Sequence, residues 1–261
     1  MTILDKIIAH KTEEVAATKS TVDVTALQRQ ATAMPKPPSL RQALLDAPGG
    51  GIIAEFKRRS PSKGSINASA KLADIVPAYE KAGAAAISVL ADSTFFGGSV
   101  EDVAEACRLT RCPVLFKEFV IDEVQLFLAR AAGASAVLLI AAAIGCERCH
   151  RLAAKAKAIG LEVLLEIHGA DELPAYNTDI DIIGVNNRDL KSFVTAPERS
   201  LHLLPSLPPE AVCISESGLL DPVDGRRLLR MGYNGLLVGE AFMRTADPAN
   251  ALRRYLTVVK A

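Results

Sequence analysis

The sequence predicts an α/β fold, a closed (β/α)8 TIM barrel with extra N-terminal helices, on three observations. The chain has 261 residues, and one such barrel takes about 250. A unit of amphipathic helix, glycine and short apolar run recurs in YEKAGAAAISVLAD, LARAAGASAVLLIAA, AKAIGLEVLLEIH and LRMGYNGLLVGEA. The glycine suits the left-handed residue that ends a helix, and a run apolar throughout suits a strand buried on both faces. Adding runs that lack this glycine gives eight candidate strands, spaced as strand–helix–strand units require. An open doubly wound sheet is the alternative. GIIAEFKRRS, however, lacks the G-x-G-x-x-G that a dinucleotide-binding sheet carries after its first strand.

Taken in order, residues 1–50 precede the first strand. Ile3, Leu4, Ile7, Ile8 and Val15 have helical spacing over Ile3–Lys19, a second helical stretch covers Thr25–Ala33, and the proline-rich turn MPKPPS follows. The segment is too short for its own core, so it reads as a helical extension packed on the barrel, and residues 1–261 read as one domain. The strands begin near Ile52, Ala85, Pro113, Ala136, Leu161, Asp181, Ala211 and Asn234. A long basic loop, RRSPSKG, joins the first strand to its helix and suits a mobile cover over an anion. FFGGS follows the second strand. A helix over Glu147–Ile159, ended by Gly160, begins next to Cys146-Glu-Arg-Cys149-His150. That string matches a c-type haem attachment motif, but in a helix, on a chain with no export signal, it reads as coincidence.

Hydrophobic residues make up 49% of the chain, enough for a large core, and Lys+Arg balance Asp+Glu at 30 each. No basic arm or stripe is present, which argues against nucleic acid or an anionic membrane as partner. Asp5, Glu13 and Glu14 interrupt the N-terminal apolar spacing, so neither a signal peptide nor a transit peptide fits. The longest apolar run, Ala136–Ile144, is far short of the ~20 residues that span a bilayer. A soluble cytoplasmic protein is expected. Five cysteines, Cys107, Cys112, Cys146, Cys149 and Cys213, are an odd set that fits reduced thiols. Of the four histidines only His168 falls at a strand end. It has no His or Cys companion there, so neither a metal nor a cofactor is expected, and a hydrogen-bonded rim role competes with a catalytic one.

The chemistry of a (β/α)8 barrel sits at the C-terminal ends of its strands. Here those ends turn polar: Glu55 and Lys57, Lys117 and Glu118, Glu166 and His168, Asn186, Asn187 and Arg188, Glu216 and Ser217. Residues two apart share a face of a strand, so carboxylates and lysines converge on one mouth if those faces point inward. A salt-bridge network closing the barrel is the structural alternative, although burying many charges rarely adds net stability. SESG (Ser215–Gly218) and VGEAFM (Val238–Met243) form the seventh and eighth loops, where such barrels commonly hold a phosphate on backbone N–H groups. Gly218 and Gly239 either admit that anion or are ordinary turn glycines. The expected partner is a phosphorylated small molecule.

These motifs resemble those of a known family. IIAEFKRRSPSKG is similar to the first-strand signature of indole-3-glycerol phosphate synthases, and FFGGS, VLFKEF, LEVLLEIH, IIGVNNRDL, SESG and LLVGEAFM follow in that family's order, from Ile52 to Met243. The resemblance implies closure of a carboxyphenylamino-deoxyribulose phosphate to an indole, with loss of carbon dioxide and water, in tryptophan biosynthesis. It implies Lys117 as the general acid and Glu166 as the base for the later dehydration. Glu55 and Lys57 are implied as their partners, Lys57 facing the substrate carboxylate. Asn186, Arg188 and Glu216 would orient the substrate. Ser60 belongs to the mobile loop, Phe96 to the aromatic pocket, and Ser217, Gly218, Gly239 and Glu240 surround the phosphate. A monomer is expected, making at most weak contacts with other enzymes of that pathway.

Three positions depart from the family pattern: Phe116 stands where arginine is usual, Glu118 where aspartate is, and Gly97 where a larger polar residue is common. Other classes remain open. A sugar-phosphate isomerase barrel would need a strand-end Cys/Asp pair or a metal, a Schiff-base aldolase would use Lys117 or Lys57 as nucleophile, and a non-catalytic phosphate-binding barrel would not need the Lys/Glu cluster.

Overall fold

The computed structural model describes residues 2–61, 63–189 and 194–261. Ser62 of the first loop and Leu190 of the sixth-strand motif fall outside them. Eight parallel strands close into a barrel: β1 (Gly51–Phe56), β2 (Ala86–Leu90), β3 (Val114–Lys117), β4 (Ala136–Ile140), β5 (Glu162–Ile167), β6 (Ile182–Asn186), β7 (Val212–Glu216) and β8 (Gly235–Val238). Each strand pairs with the next in sequence, and β8 pairs back to β1 in parallel, Ile52 beside Leu236. Every strand starts within one residue of its expected position, because the glycine and the apolar run mark the same boundary from both sides.

The outer layer comprises α1 (Ile3–Thr21), α2 (Val24–Ala33), α3 (Leu40–Asp46), α4 (Leu72–Ala82), α5 (Ser93–Phe96), α6 (Val100–Leu109), α7 (Glu123–Ala131), α8 (Ala141–Ala158), α9 (Glu198–Leu203), α10 (Pro222–Met231), α11 (Glu240–Met243) and α12 (Pro248–Val259). The β5–β6 crossover is instead a single 3-10 turn, Ala170–Ala175, with Pro174 inside it. Proline removes a backbone donor and clashes with the preceding turn, so that crossover does not extend as an α-helix.

The N-terminal segment has three helices, not two. α1 opens with a capping box between Thr2 and Asp5 and buries Ile7, Lys11 and Val15, one residue per turn along one stripe. α2 lies against α7. The unanticipated α3 starts at Ser39, whose side chain accepts the Gln42 N–H, just after the prolines of MPKPPS. Its Leu40 and Leu44 join the cluster inside the barrel and plug the end where the strands begin. α8 includes a separate first turn from Ala141, set off by Gly145 at φ 74°, ψ 165°, and the helix expected from Glu147 follows that break. Within it Cys149 is buried against the core while Cys146 is exposed, so the two do not face a common ligand, and all five cysteines are free thiols.

Candidate active site

Alternation along the strands decides what the barrel encloses. Ile53, Leu115, Leu138, Leu164, Ile182, Ile214 and Leu237 share the interior cluster with Leu40 and Leu44. Their neighbours Ile52, Phe56, Phe116, Leu165, Val185 and Val238 pack outward beneath the helices. Two residues beyond Ile53, Leu115, Leu164 and Ile214, on the same inward face, stand Glu55, Lys117, Glu166 and Glu216. The inward surface therefore changes from apolar to ionic within one pleat. Glu55, Glu166 and Glu216 are all at most 4% exposed.

The groups are paired. Lys117 Nζ lies 2.5 Å from Glu216 Oε2 and 3.5 Å from Glu166 Oε2. Asn186 Nδ2 donates to Glu166 Oε1 at 2.9 Å, and the Arg188 backbone N–H donates to Asn186 Oδ1 at 2.9 Å. Lys57 Nζ contacts Glu55 Oε1 at 2.5 Å. Two glycines make this crowding feasible: a Cβ on Gly184 would meet Glu216 Oε1 at 2.5 Å, and one on Gly239 would meet Glu55 Oε1 at 2.5 Å.

Burial and pairing oppose one another here. Burial works against the Lys117 charge, but Glu216, Glu166 and Glu55 outweigh it and raise its pKa. Burial likewise disfavours the Glu166 carboxylate, yet Lys117, then His168 and Asn186, hold it below the ordinary carboxylate value. Glu216 goes the other way. Burial first, with the like charge of Glu166, pushes it up to about 7 although Lys117 resists, and its Oε1 has no hydrogen-bond partner among the described residues. Two adjacent carboxylates thus have affinities for protons driven apart, as acid–base sites require.

All thirteen residues singled out by motif line one cavity: Glu55, Lys57, Ser60, Phe96, Lys117, Glu166, Asn186, Arg188, Glu216, Ser217, Gly218, Gly239 and Glu240. On one side are the loops after β7 and β8. Ser217 and Gly218 take successive left-handed conformations, φ 70° and 73°. That is uncommon for serine, and such residues gather at functional loops. A buried relay holds them: Ser200 Oγ donates to Asn187 Oδ1 at 2.7 Å, while Asn187 Nδ2 donates to Ser215 Oγ at 2.9 Å and to the Ser217 carbonyl at 3.1 Å. Lys63 lies 3.5 Å from Glu240 across the cavity mouth.

On the other side the wall is apolar: Phe96 and Phe119, with ring centroids 6.0 Å apart, and Leu90, Leu138 and Ile140. α1 adds Ile3, Leu4 and Ile7 to it. The first loop is tied down by Arg58, which spans Asp102 at 2.6 and 3.1 Å, and by Arg59, which donates to the Ser93 and Thr94 carbonyls.

The sequence reading missed α1's part in the site. Lys11, fully buried, lies 3.0 Å from both Asp92 and Glu118 and 2.8 Å from Glu14. The available signal was a lysine in register with Ile3, Ile7 and Val15 on the apolar stripe. Glu118, in place of the family's aspartate, is therefore committed to α1. Phe116 is buried between barrel and helices, where an apolar ring needs no partner. Gly97 has φ 68°, a conformation glycine takes without strain, and a Cβ there would press on the Arg59 side chain. Among the described residues, no group of three or more His, Cys, Asp or Glu side chains is placed to hold a metal ion.

Fold and site together define an enzyme of the (β/α)8 class, its reactive groups at the C-terminal mouth of the barrel. The family is now specific. Residues 4–255 match the model of the family "Indole-3-glycerol phosphate synthase", and the chain belongs to that family. It is 48% identical to the indole-3-glycerol phosphate synthase of Bacteroides thetaiotaomicron over 258 residues, covering 99% of both chains. It is 41% identical to that of Burkholderia ambifaria over 259 residues, covering 97% of this chain and 98% of the other. Among solved structures the fold matches a thiamine phosphate pyrophosphorylase from Pyrococcus furiosus, with a TM-score of 0.61 at 18% identity over 85% of this chain and 98% of the other. It also matches a mutant tryptophan synthase alpha-subunit from Pyrococcus furiosus, with a TM-score of 0.59 at 14% identity over 82% and 98%. No helix among the described residues is long and apolar enough to cross a membrane.

Proposed function

We propose that this protein converts 1-(2-carboxyphenylamino)-1-deoxyribulose 5-phosphate to indole-3-glycerol phosphate, releasing carbon dioxide and water, as a step of tryptophan biosynthesis. The observation that carries the reading is Lys117, a half-buried ammonium between Glu216 and Glu166, with an apolar wall on one side of it and the Ser217–Gly218 and Gly239–Glu240 loops on the other. The substrate's aromatic ring takes the wall of Phe96, Phe119 and α1, and its phosphate takes the two loops. Its keto carbon then lies near Lys117, which gives a proton to the oxygen that gains charge as the ring carbon attacks. Lys57 faces the carboxylate that departs as carbon dioxide, and Glu55 orients Lys57. Glu166 removes the proton whose loss accompanies dehydration. Asn186, Arg188 and Glu216 position the hydroxyls and the two catalytic groups.

The reading takes residues 1–261 as one domain, supported by a core that runs from Ala31 to Val259. It takes the working form as a cytoplasmic monomer with reduced thiols, without cofactor or metal, making at most weak contacts with other enzymes of the pathway.

The test is formation of indole absorbance or fluorescence from the carboxyphenylamino substrate, repeated on Lys117→Met. The variant keeps most of the side-chain stem and loses the proton, so kcat is expected to fall ~10²–10⁴-fold while KM changes far less. A variant retaining more than about a tenth of the wild-type rate removes Lys117 from the role of general acid. A borohydride-trapped adduct on wild-type Lys117 would indicate a Schiff-base lysine instead.

A further inference from the structure

His168 stands behind Glu166. The pleat turns both side chains to the same face of β5's end. The His168 Nε2 lies 3.5 Å from Glu166 Oε1, and its Nδ1 lies 3.5 Å from Glu172 Oε2. Glu172, from the 3-10 turn after β5, also accepts the His168 backbone N–H at 2.8 Å, and Arg199 of α9 donates to the His168 carbonyl at 3.1 Å. Both ring nitrogens are shut away from solvent, and neither makes a hydrogen bond among the described residues. An imidazole presents an N–H on both sides only when protonated, and here each side faces a carboxylate. The charged groups around the ring are Glu172 from the turn, Glu166 from the barrel and, further off, Glu216 from the barrel. The Arg199 guanidinium is drawn towards Asp189, at 3.6 Å, and Lys117 lies on the far side of Glu166.

We infer that His168 is a positioning residue for Glu166: its imidazolium, anchored from behind by Glu172, is a second cation that keeps the base ionised until the dehydration step, when it takes the substrate proton. The inference rests on Glu166 being the base. Lys117 is the other cation beside Glu166, also at 3.5 Å, yet in the proposed reaction it gives its proton away. At that moment Glu166, buried beside Glu216, would otherwise be left to capture a proton. A second cation outside the cavity lining, not consumed by the reaction, prevents this. The electrostatic balance agrees: burial opposes the His168 charge, but Glu172 and Glu166, with Glu216 behind them, outweigh it and raise its pKa.

The experiment has two arms. In ring-labelled, ligand-free protein, the NMR titration midpoint of His168, assigned by its loss in His168→Gln, is expected to lie above the ordinary value. It is expected to fall in both Glu166→Gln and Glu172→Gln. Coupling is reciprocal, so the acid limb of the kcat–pH profile of His168→Gln is expected to move to higher pH. Rates would then be reduced several-fold near pH 6 and recover as pH rises. An unmoved His168 midpoint in Glu166→Gln overturns the inference. So does a rate loss that is uniform across pH and accompanied by a lower Tm, which is what a purely structural histidine produces. A coupled ring with an unmoved acid limb supports the pairing and overturns Glu166 as the base.

Discussion

At the scale of single residues, the site is built by removing side chains as much as by placing them. Gly184 and Gly239 leave room for Glu216 and Glu55, while Gly218 leaves room for the loop itself: a Cβ there would approach Thr195 Cγ2 to 2.1 Å. Gly218→Asp would put both a side chain and a negative charge where the phosphate is expected. KM is therefore expected to rise at least tenfold, a loss of about 1.4 kcal/mol in binding, with a smaller change in kcat. Because Gly218 is left-handed, an L-residue there also costs about 1–2 kcal/mol of stability besides displacing Thr195, so the kinetics need a control for the backbone part of that strain. Gly232, at φ 126° in the turn before β8 and with nothing closer than 3.9 Å to a built Cβ, supplies it. Gly232→Asp is expected to lower Tm while leaving KM unchanged. If Gly218→Asp folds and keeps its KM, the phosphate does not bind at this loop.

At the scale of elements, α1 is held on the barrel by a charge as well as by its apolar stripe. Replacing Lys11 by methionine leaves Asp92 and Glu118 facing one another in a buried site, and uncompensated buried charge costs about 3–5 kcal/mol. Tm is expected to fall by roughly 10 °C at neutral pH. The deficit depends on pH. Burial first, and Asp92 as a like charge, already push Glu118 up to about 7 despite Lys11, and losing Lys11 raises it further. Near pH 5 Glu118 is protonated in the folded variant and the penalty is small. Past about pH 7 the folded variant must either hold that proton or bury the bare charge, so the gap from wild type widens as pH rises. A gap that is constant across pH, followed by thermal melts, would mean that methionine's packing rather than Lys11's charge sets the loss. This element also marks the limit of what sequence reveals. Helix-glycine-strand units have local signals, so all eight strands and the inward alternation that collects Glu55, Lys117, Glu166 and Glu216 were legible. The docking of α1 was not, because its contacts join residues more than a hundred positions apart, Lys11 with Glu118 and Lys19 with Asp122. The plug formed by α3 was hidden for the same reason, and the Glu172 carboxylate, only four residues from His168, because nothing in a lone glutamate announces what it will face.

At the scale of the whole molecule, the barrel divides its labour along its axis. The end closed by Leu40 and Leu44 is apolar and stabilises the fold, whereas the other end concentrates Glu55, Glu166, Glu216, Lys57 and Lys117 in a site from which much water is excluded. Such a mouth is maintained at the expense of stability, and Glu216 shows how much. Its carboxyl has an ordinary value of 4.5 and is held at about 7 in the folded protein. Between these pH values the folded state keeps a proton that the unfolded state has released, so stability falls as pH rises through the window. One pKa unit corresponds to 1.36 kcal/mol, which makes the Glu216 contribution on the order of 3 kcal/mol by pH 8. Glu216→Gln removes that titration while keeping the side chain's size and shape. Denaturant unfolding of both proteins at pH 5 and pH 8 is therefore expected to show near-equal stabilities at pH 5 and a variant that is the more stable at pH 8. The same variant is expected to lose activity, since Lys117 loses the carboxylate at 2.5 Å that positions it. If wild type instead gains on the variant between pH 5 and pH 8, the Lys117–Glu216 attraction outweighs burial, and the cluster at the mouth is a source of stability rather than a cost of function.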